Sequence, residues 1–93
     1  MSGYRIEDFQ DHVGETFVLG EGEATLDLVL DHVEALPPGI REEGCFRLEF
    51  LGPHMPILPQ AIYRVANGGR DFDLFIVPLG QDGAGTTYEA IFN

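Results

Sequence analysis

Glycine and proline cut this chain into short pieces, and the pattern within them leaves no long helix to make a parallel crossover. Such a crossover needs about a dozen residues or more. Between the breaks, apolar residues alternate. Leu26, Leu28 and Leu30 interleave with Asp27, Val29 and Asp31. Phe46, Leu48 and Phe50 interleave with Arg47, Glu49 and Leu51, and Tyr88, Ala90 and Phe92 with Thr87, Glu89 and Ile91. Period two marks a strand with one buried face.

Three further segments read as strands. Thr16 to Leu19 is β-branched and aromatic. Ala61 to Val65 precedes Asn67-Gly68-Gly69, a hairpin signal. Asp71 to Leu79 is apolar on both sides from Leu74 to Val77, which predicts a central strand covered on both faces. Pro78 falls near its end, where a missing donor matters least. Val33 and Leu36 fall out of step with the leucines before them, so a bulge is expected near His32.

The opening differs. Tyr4, Phe9 and Val13 stand near helical spacing, with Ile6 loosely on the same side, and Gly14 follows as a stop. Pro53, Pro56 and Pro59 recur every third residue, the period of polyproline II. That segment reads either as a ligand for a proline-recognising domain or as a strap over one end of the fold. The apolar residues between the prolines favour the strap, with Met55, Ile57 and Leu58 tucked inward.

These pieces predict a single domain over residues 1–93, mainly β: a six-stranded antiparallel small barrel or sandwich with a short N-terminal helix plugging one end. Phe17, Phe46, Phe50, Phe72, Phe75 and Phe92 are expected to fill it.

Charge narrows the partners. Sixteen acids face five bases, all arginine, for a formal charge of −11. Residues 1–50 hold twelve acids and three arginines, net −9; residues 51–93 hold four and two, net −2. In the alternating strands Asp27, Asp31 and Glu49 take outward positions, so the acidity is read as the wet face of a sheet. Nucleic acid is not an expected partner, because its binding rests on basic residues neutralising phosphates. An anionic membrane surface is disfavoured likewise. Apolar runs of about four residues fall far short of the ~20 needed to cross a bilayer. The single cysteine, Cys45, excludes an internal disulfide. With no signal-peptide pattern, a cytoplasmic location is expected.

Chemistry is sparse. His12, His32 and His54 lack metal-ligand spacing. Asp71 and Asp73 share one side of a strand, and both are expected to face water beside Arg70. The Asp82-Gly83-Ala84-Gly85 segment lacks the ligand series of a calcium loop and reads as a turn. Ser2, Thr16, Thr25, Thr86 and Thr87 have no implied base, and Cys45 reads as a small buried hydrophobe. No catalytic residue, metal site or cofactor is therefore expected. Four polar residues remain as binding candidates: Gln60, Tyr63, Arg64 and Glu89. Glu89 reads either as the cross-strand partner of Arg47, Arg64 or Arg70, or as a ligand-contacting carboxylate.

Five motifs carry a resemblance: Phe9-x-x-His12-x-Gly14-x-x-Phe17, Phe46-x-Leu48-x-Phe50-x-Gly52-Pro53, Leu58-Pro59-Gln60-x-x-Tyr63, Phe75-Ile76-Val77-Pro78-x-Gly80, and Tyr88-Glu89-Ala90-x-Phe92-Asn93. Together they span Phe9 to Asn93, and the chain resembles a small bacterial domain family of unknown function. The resemblance implies a chain complete at Asn93 and a loose association with phage-tail-like proteins. It supplies no catalytic residues.

The leading expectation is a non-enzymatic protein-interaction or structural accessory module with a protein partner or self-association, using an exposed strand edge or face. One alternative is a small-molecule-binding barrel. Another is a small enzyme pairing Glu89 with His12 or His54, which needs those groups within hydrogen-bond reach.

Overall fold

The structure, a computed structural model, describes residues 3–22 and 24–93, apart from the side chain of Glu21. Ser2 and the Glu23 of the first turn lie outside the described residues. The elements are α1 (Glu7–Gln10), β1 (Thr16–Glu21), β2 (Ala24–Ala35), β3 (Phe46–Gly52), β4 (Ala61–Asn67), β5 (Arg70–Asp82) and β6 (Gly85–Phe92).

The six strands close into an antiparallel barrel in the order β1-β2-β3-β6-β5-β4. This decides between barrel and sandwich. The first three strands form one meander and the last three another, so each half of the sequence builds one half of the wall. The halves meet at two seams of unequal length. Along β3 and β6 the register runs from Phe46↔Phe92 to Gly52↔Thr86. Along β1 and β4 it holds only Val18↔Ala66 and Leu19↔Val65.

Alternation sets which side chains enter. Phe46, Leu48 and Phe50 of β3 are buried, while Arg47, Glu49 and Leu51 between them are only half-buried. Between Leu30 and His32 the β2 register shifts, and Asp31 is the extra residue. The bulge returns Val33 to the inner side opposite Leu48. The interior is filled by Phe17, Leu28, Leu30, Phe50, Val65, Leu74, Ile76 and Tyr88, all fully buried.

Both barrel ends are stopped. At one end α1 inserts Phe9, which is fully buried and lies against Tyr4, Phe17, Phe46, Phe72 and Phe92. Burying that ring stabilises the fold by about 3 kcal/mol from area alone. Gly14, at a φ of 91°, turns the chain from the helical segment into β1. At the other end the 53–60 segment crosses from β3 to β4. The Leu58 amide donates to the Tyr88 hydroxyl at 3.0 Å, and His54 Nε2 lies 2.7 Å from the Asp82 carbonyl.

Several expectations need correction. Val13 is exposed, because α1 ends at Gln10 and a non-helical turn carries the chain to Gly14. Met55 and Ile57 are also exposed; only Leu58 of that trio packs on the core. Phe75 points outward, so β5 buries one face through Phe72, Leu74 and Ile76 rather than two. Nor does Pro78 mark the end of β5. A register shift between Pro78 and Gly80 absorbs the missing donor, and the strand continues to Asp82.

Candidate functional site

The outer surface of the barrel divides into two walls of different chemistry. On β1, β2 and β3 the side chains outside the core include Asp27, Asp31, Glu34, Arg47 and Glu49. On β4, β5 and β6 the exposed large side chains include Ile62, Phe75, Leu79 and Ile91. Ile62 and Phe75 are register partners across β4 and β5, and are 71% and 51% exposed. Two apolar side chains placed opposite each other and left open are the unusual feature, since single exposed apolar residues are common.

Ion pairs bracket this row. Arg64 is the register partner of Asp73, one pair along from Tyr63↔Leu74, and its Nε stands 3.1 Å from Asp73 Oδ1. On β6, Glu89 precedes Ile91 on the same outward side, and its partner is Arg47 of β3. Arg47 serves three carboxylates from three adjacent strands. Its Nη2 lies 2.6 Å from Glu49 Oε2 and 2.6 Å from Glu89 Oε2, and its Nη1 lies 3.2 Å from Glu34 Oε1. The hydrogen bond to Glu49, then that to Glu89, raises the guanidinium pKa above its ordinary value.

The four binding candidates separate in space. Arg64 and Glu89 stand on the outer wall with the apolar row between them. Gln60 is exposed just before β4. Tyr63 is half-buried against the core, and its hydroxyl donates to the Pro59 carbonyl at 2.6 Å, which holds the end of the proline segment. Among the three arginines weighed for Glu89, the structure selects Arg47. Arg70 instead holds Asp8 of α1 at 2.9 Å.

Ile62 and Ile91 carry no expected role in the sequence, and Phe75 is expected inside the barrel, whereas all three stand exposed on the outer wall. The available signal was the apolar run from Leu74 to Val77. That run predicts cover on both faces, whereas it marks an uncovered outer face.

The histidines are dispersed. His12 Nδ1 pairs with Glu15 at 2.9 Å, and Asn67 donates to the same Glu15 oxygen at 3.2 Å. These two bonds, the histidine's first, hold the Glu15 carboxyl below its ordinary range. Neither His12 nor His54 is brought to Glu89. His12 precedes β1, which stands across the barrel from β6, and His54 bonds to the Asp82 carbonyl. Among the described residues no group of three or more His, Cys, Asp or Glu is arranged to hold a metal ion. Clefts among the described residues lie at the plugged end. One, of about 430 Å³, lies between α1 and the 36–45 loop beside the buried thiol of Cys45. The other, of about 300 Å³, is lined by Asp8, His12, Glu15, Asn67 and Arg70. Among the described residues no helix is long and apolar enough to cross a membrane.

A family model described as a domain of unknown function (DUF6916) matches residues 4–92. No curated protein and no solved structure matches the sequence.

Proposed function

The chain belongs to the DUF6916 family of domains of unknown function, and from that premise and its wall chemistry we propose a non-enzymatic protein-interaction module. In this reading the β4–β5–β6 wall is the contact surface, and the domain is an accessory of a larger assembly, phage-tail-like or otherwise, in the bacterial cytoplasm. The observation that carries it is the Ile62–Phe75 pair, open to solvent between the Arg64–Asp73 and Arg47–Glu89 ion pairs. An apolar centre with a polar rim is the usual anatomy of a protein contact. Aromatic anchors near the centre carry most of the binding energy in such contacts.

The lone buried Cys45 suits a reducing compartment.

The test is affinity capture from a lysate of the source cell with three baits. Wild type and Asp27→Asn, altered on the acidic wall, are expected to retain the same partner. Phe75→Glu is expected to lose it. Equal retention by all three baits would remove the β4–β5–β6 wall as the contact surface.

A further inference from the structure

We propose that β4 offers an open backbone edge at Ile62, and that an extended segment of a partner protein, apolar at its centre and basic at its ends, adds there as a further strand. The inference rests on the reading of the β4–β5–β6 wall as a contact surface and adds how that wall is engaged and by what chemistry.

β4 is paired unequally on its two sides. Toward β5 the register runs without a break from Ala61↔Ile76 to Asn67↔Arg70. Toward β1 it holds only Val18↔Ala66 and Leu19↔Val65. β1 ends at Glu21, where the chain turns back into β2 through the pair Glu21↔Ala24. Carried onward, the antiparallel β1–β4 register reaches Tyr63 with Glu21, so the position opposite Ile62 falls on Gly22, in the turn.

The direction of the Ile62 peptide groups follows from the β4–β5 hairpin. Gly68 and Gly69 have φ of 58° and 82°, the two-residue turn that closes on a hydrogen-bonded pair, here Asn67↔Arg70. Hydrogen-bonded and non-hydrogen-bonded pairs alternate along an antiparallel ladder. Val65↔Phe72, Tyr63↔Leu74 and Ala61↔Ile76 are therefore of the first kind, and Ile62↔Phe75 is of the second. The Ile62 N–H and C=O thus point away from β5, into the gap beyond the end of β1. Among the described residues no turn or loop backbone bond reaches them.

This edge selects its occupant. Both backbone groups are satisfied by an extended segment, not by a helix or a folded face. The residue that such a segment sets opposite Ile62 lies on the outer surface and lengthens the Ile62–Phe75 row, so an apolar side chain fits there. The formal charge of −11, with five arginines and no lysine, favours a basic segment over an acidic one.

The test titrates a blocked heptapeptide into the isotope-labelled chain up to about 1 mM, where even a weak complex is populated. The peptide alternates valine with threonine between terminal lysines. Saturable amide shifts centred on Ala61 to Tyr63 are expected, with slowed exchange of the Ile62 amide. The same peptide N-methylated at its valines lacks the donors that face the edge and is expected to bind roughly tenfold more weakly or worse. Glutamates in place of the lysines are expected to weaken binding as well. Ile62→Pro removes the edge donor without touching the β5 ladder and is expected to lose the shifts while keeping the wild-type dichroism spectrum. The proposal is overturned by an absence of shifts at Ala61 to Tyr63, by equal binding of the N-methylated or glutamate peptide, or by undiminished binding to Ile62→Pro. The broader reading fails separately: if the edge binds no peptide but Phe75→Glu still loses the captured partner, the edge is rejected and the wall remains the contact surface.

Discussion

Arg47 and Glu89 meet at a single oxygen: Arg47 Nε and Nη2 lie 2.8 and 2.6 Å from Glu89 Oε2, across the β3–β6 seam. Glu34 and Glu49 complete the arginine's surroundings. One cation thus restrains three carboxylates that would otherwise repel.

That arrangement makes the two partners unequal under substitution. Arg47→Met leaves three like charges facing one another and is expected to cost about 2 kcal/mol. Glu89→Gln leaves the arginine with two carboxylates and is expected to cost about 1 kcal/mol. Urea unfolding of both variants measures the difference. Equal losses would refute the shared-cation account.

Asp8 ties α1 to the barrel mouth, accepting from the Arg5 amide at 2.7 Å and from Arg70 at 2.9 Å. Burial, the largest single effect, pushes its carboxyl pKa up, but the Arg5 amide and then Arg70 outweigh it, and the net shift is downward. A carboxyl depressed in the folded state stabilises the fold above its unfolded pKa and loses that contribution as pH falls through the folded one. Asp8→Asn is therefore expected to cost about 1 kcal/mol at neutral pH. The gap to wild type should close as pH falls below the ordinary carboxylate range. Urea unfolding across that range checks it, and a gap that widens with acid would show the sign to be wrong.

Phe9 is the plug of one barrel end, with five aromatic neighbours. Phe9→Ala is expected to lose about 3–5 kcal/mol, because the surrounding rings cannot collapse into the gap. Phe9→Leu keeps most of the volume and is expected to lose about 1.5 kcal/mol or less. Thermal unfolding followed by near-ultraviolet dichroism reports both, and an Ala variant as stable as the Leu variant would show that α1 does not plug the core.

At the opposite end the Tyr88 hydroxyl receives the Leu58 amide. Tyr88→Phe leaves that amide without its protein partner and is expected to cost about 1–2 kcal/mol. Hydrogen exchange gives the sharper readout: the Leu58 amide should lose protection while the amides of β3 keep theirs. Unchanged protection at Leu58 would show that the strap is held by something else.

Much of this fold is legible in the chain because its rules are local. Phe46, Leu48 and Phe50 announce an inner face by alternation alone, and the misfit of Val33 announces the bulge at Asp31. What lies outside an outer face is not a local property. Phe75 alternates as a covered strand residue would, and nothing in its neighbours says that the cover is missing. The Glu89 partner illustrates the same limit. Three arginines satisfied the chemistry, but the choice depends on a register joining residues 42 positions apart. Tyr63 is a polar candidate by residue type alone, and the use of its hydroxyl on the Pro59 carbonyl depends on where the chain turns into β4. Arg64 and Glu89 are both on the outer wall, yet the apolar row between them emerges only when β4, β5 and β6 lie side by side.

The unequal seams make the barrel a clasp. The long β3–β6 register acts as the hinge, and the two residue pairs of the β1–β4 register act as the latch. Release of Val18 and Leu19 from Ala66 and Val65, with the Asn67 bonds to Glu15 and Thr16, would free one seam while the β3–β6 pairing stays intact. The first interior groups to meet water in such an opening are Leu19 and Val65, whereas Phe50 and Tyr88, paired across the hinge, are the last.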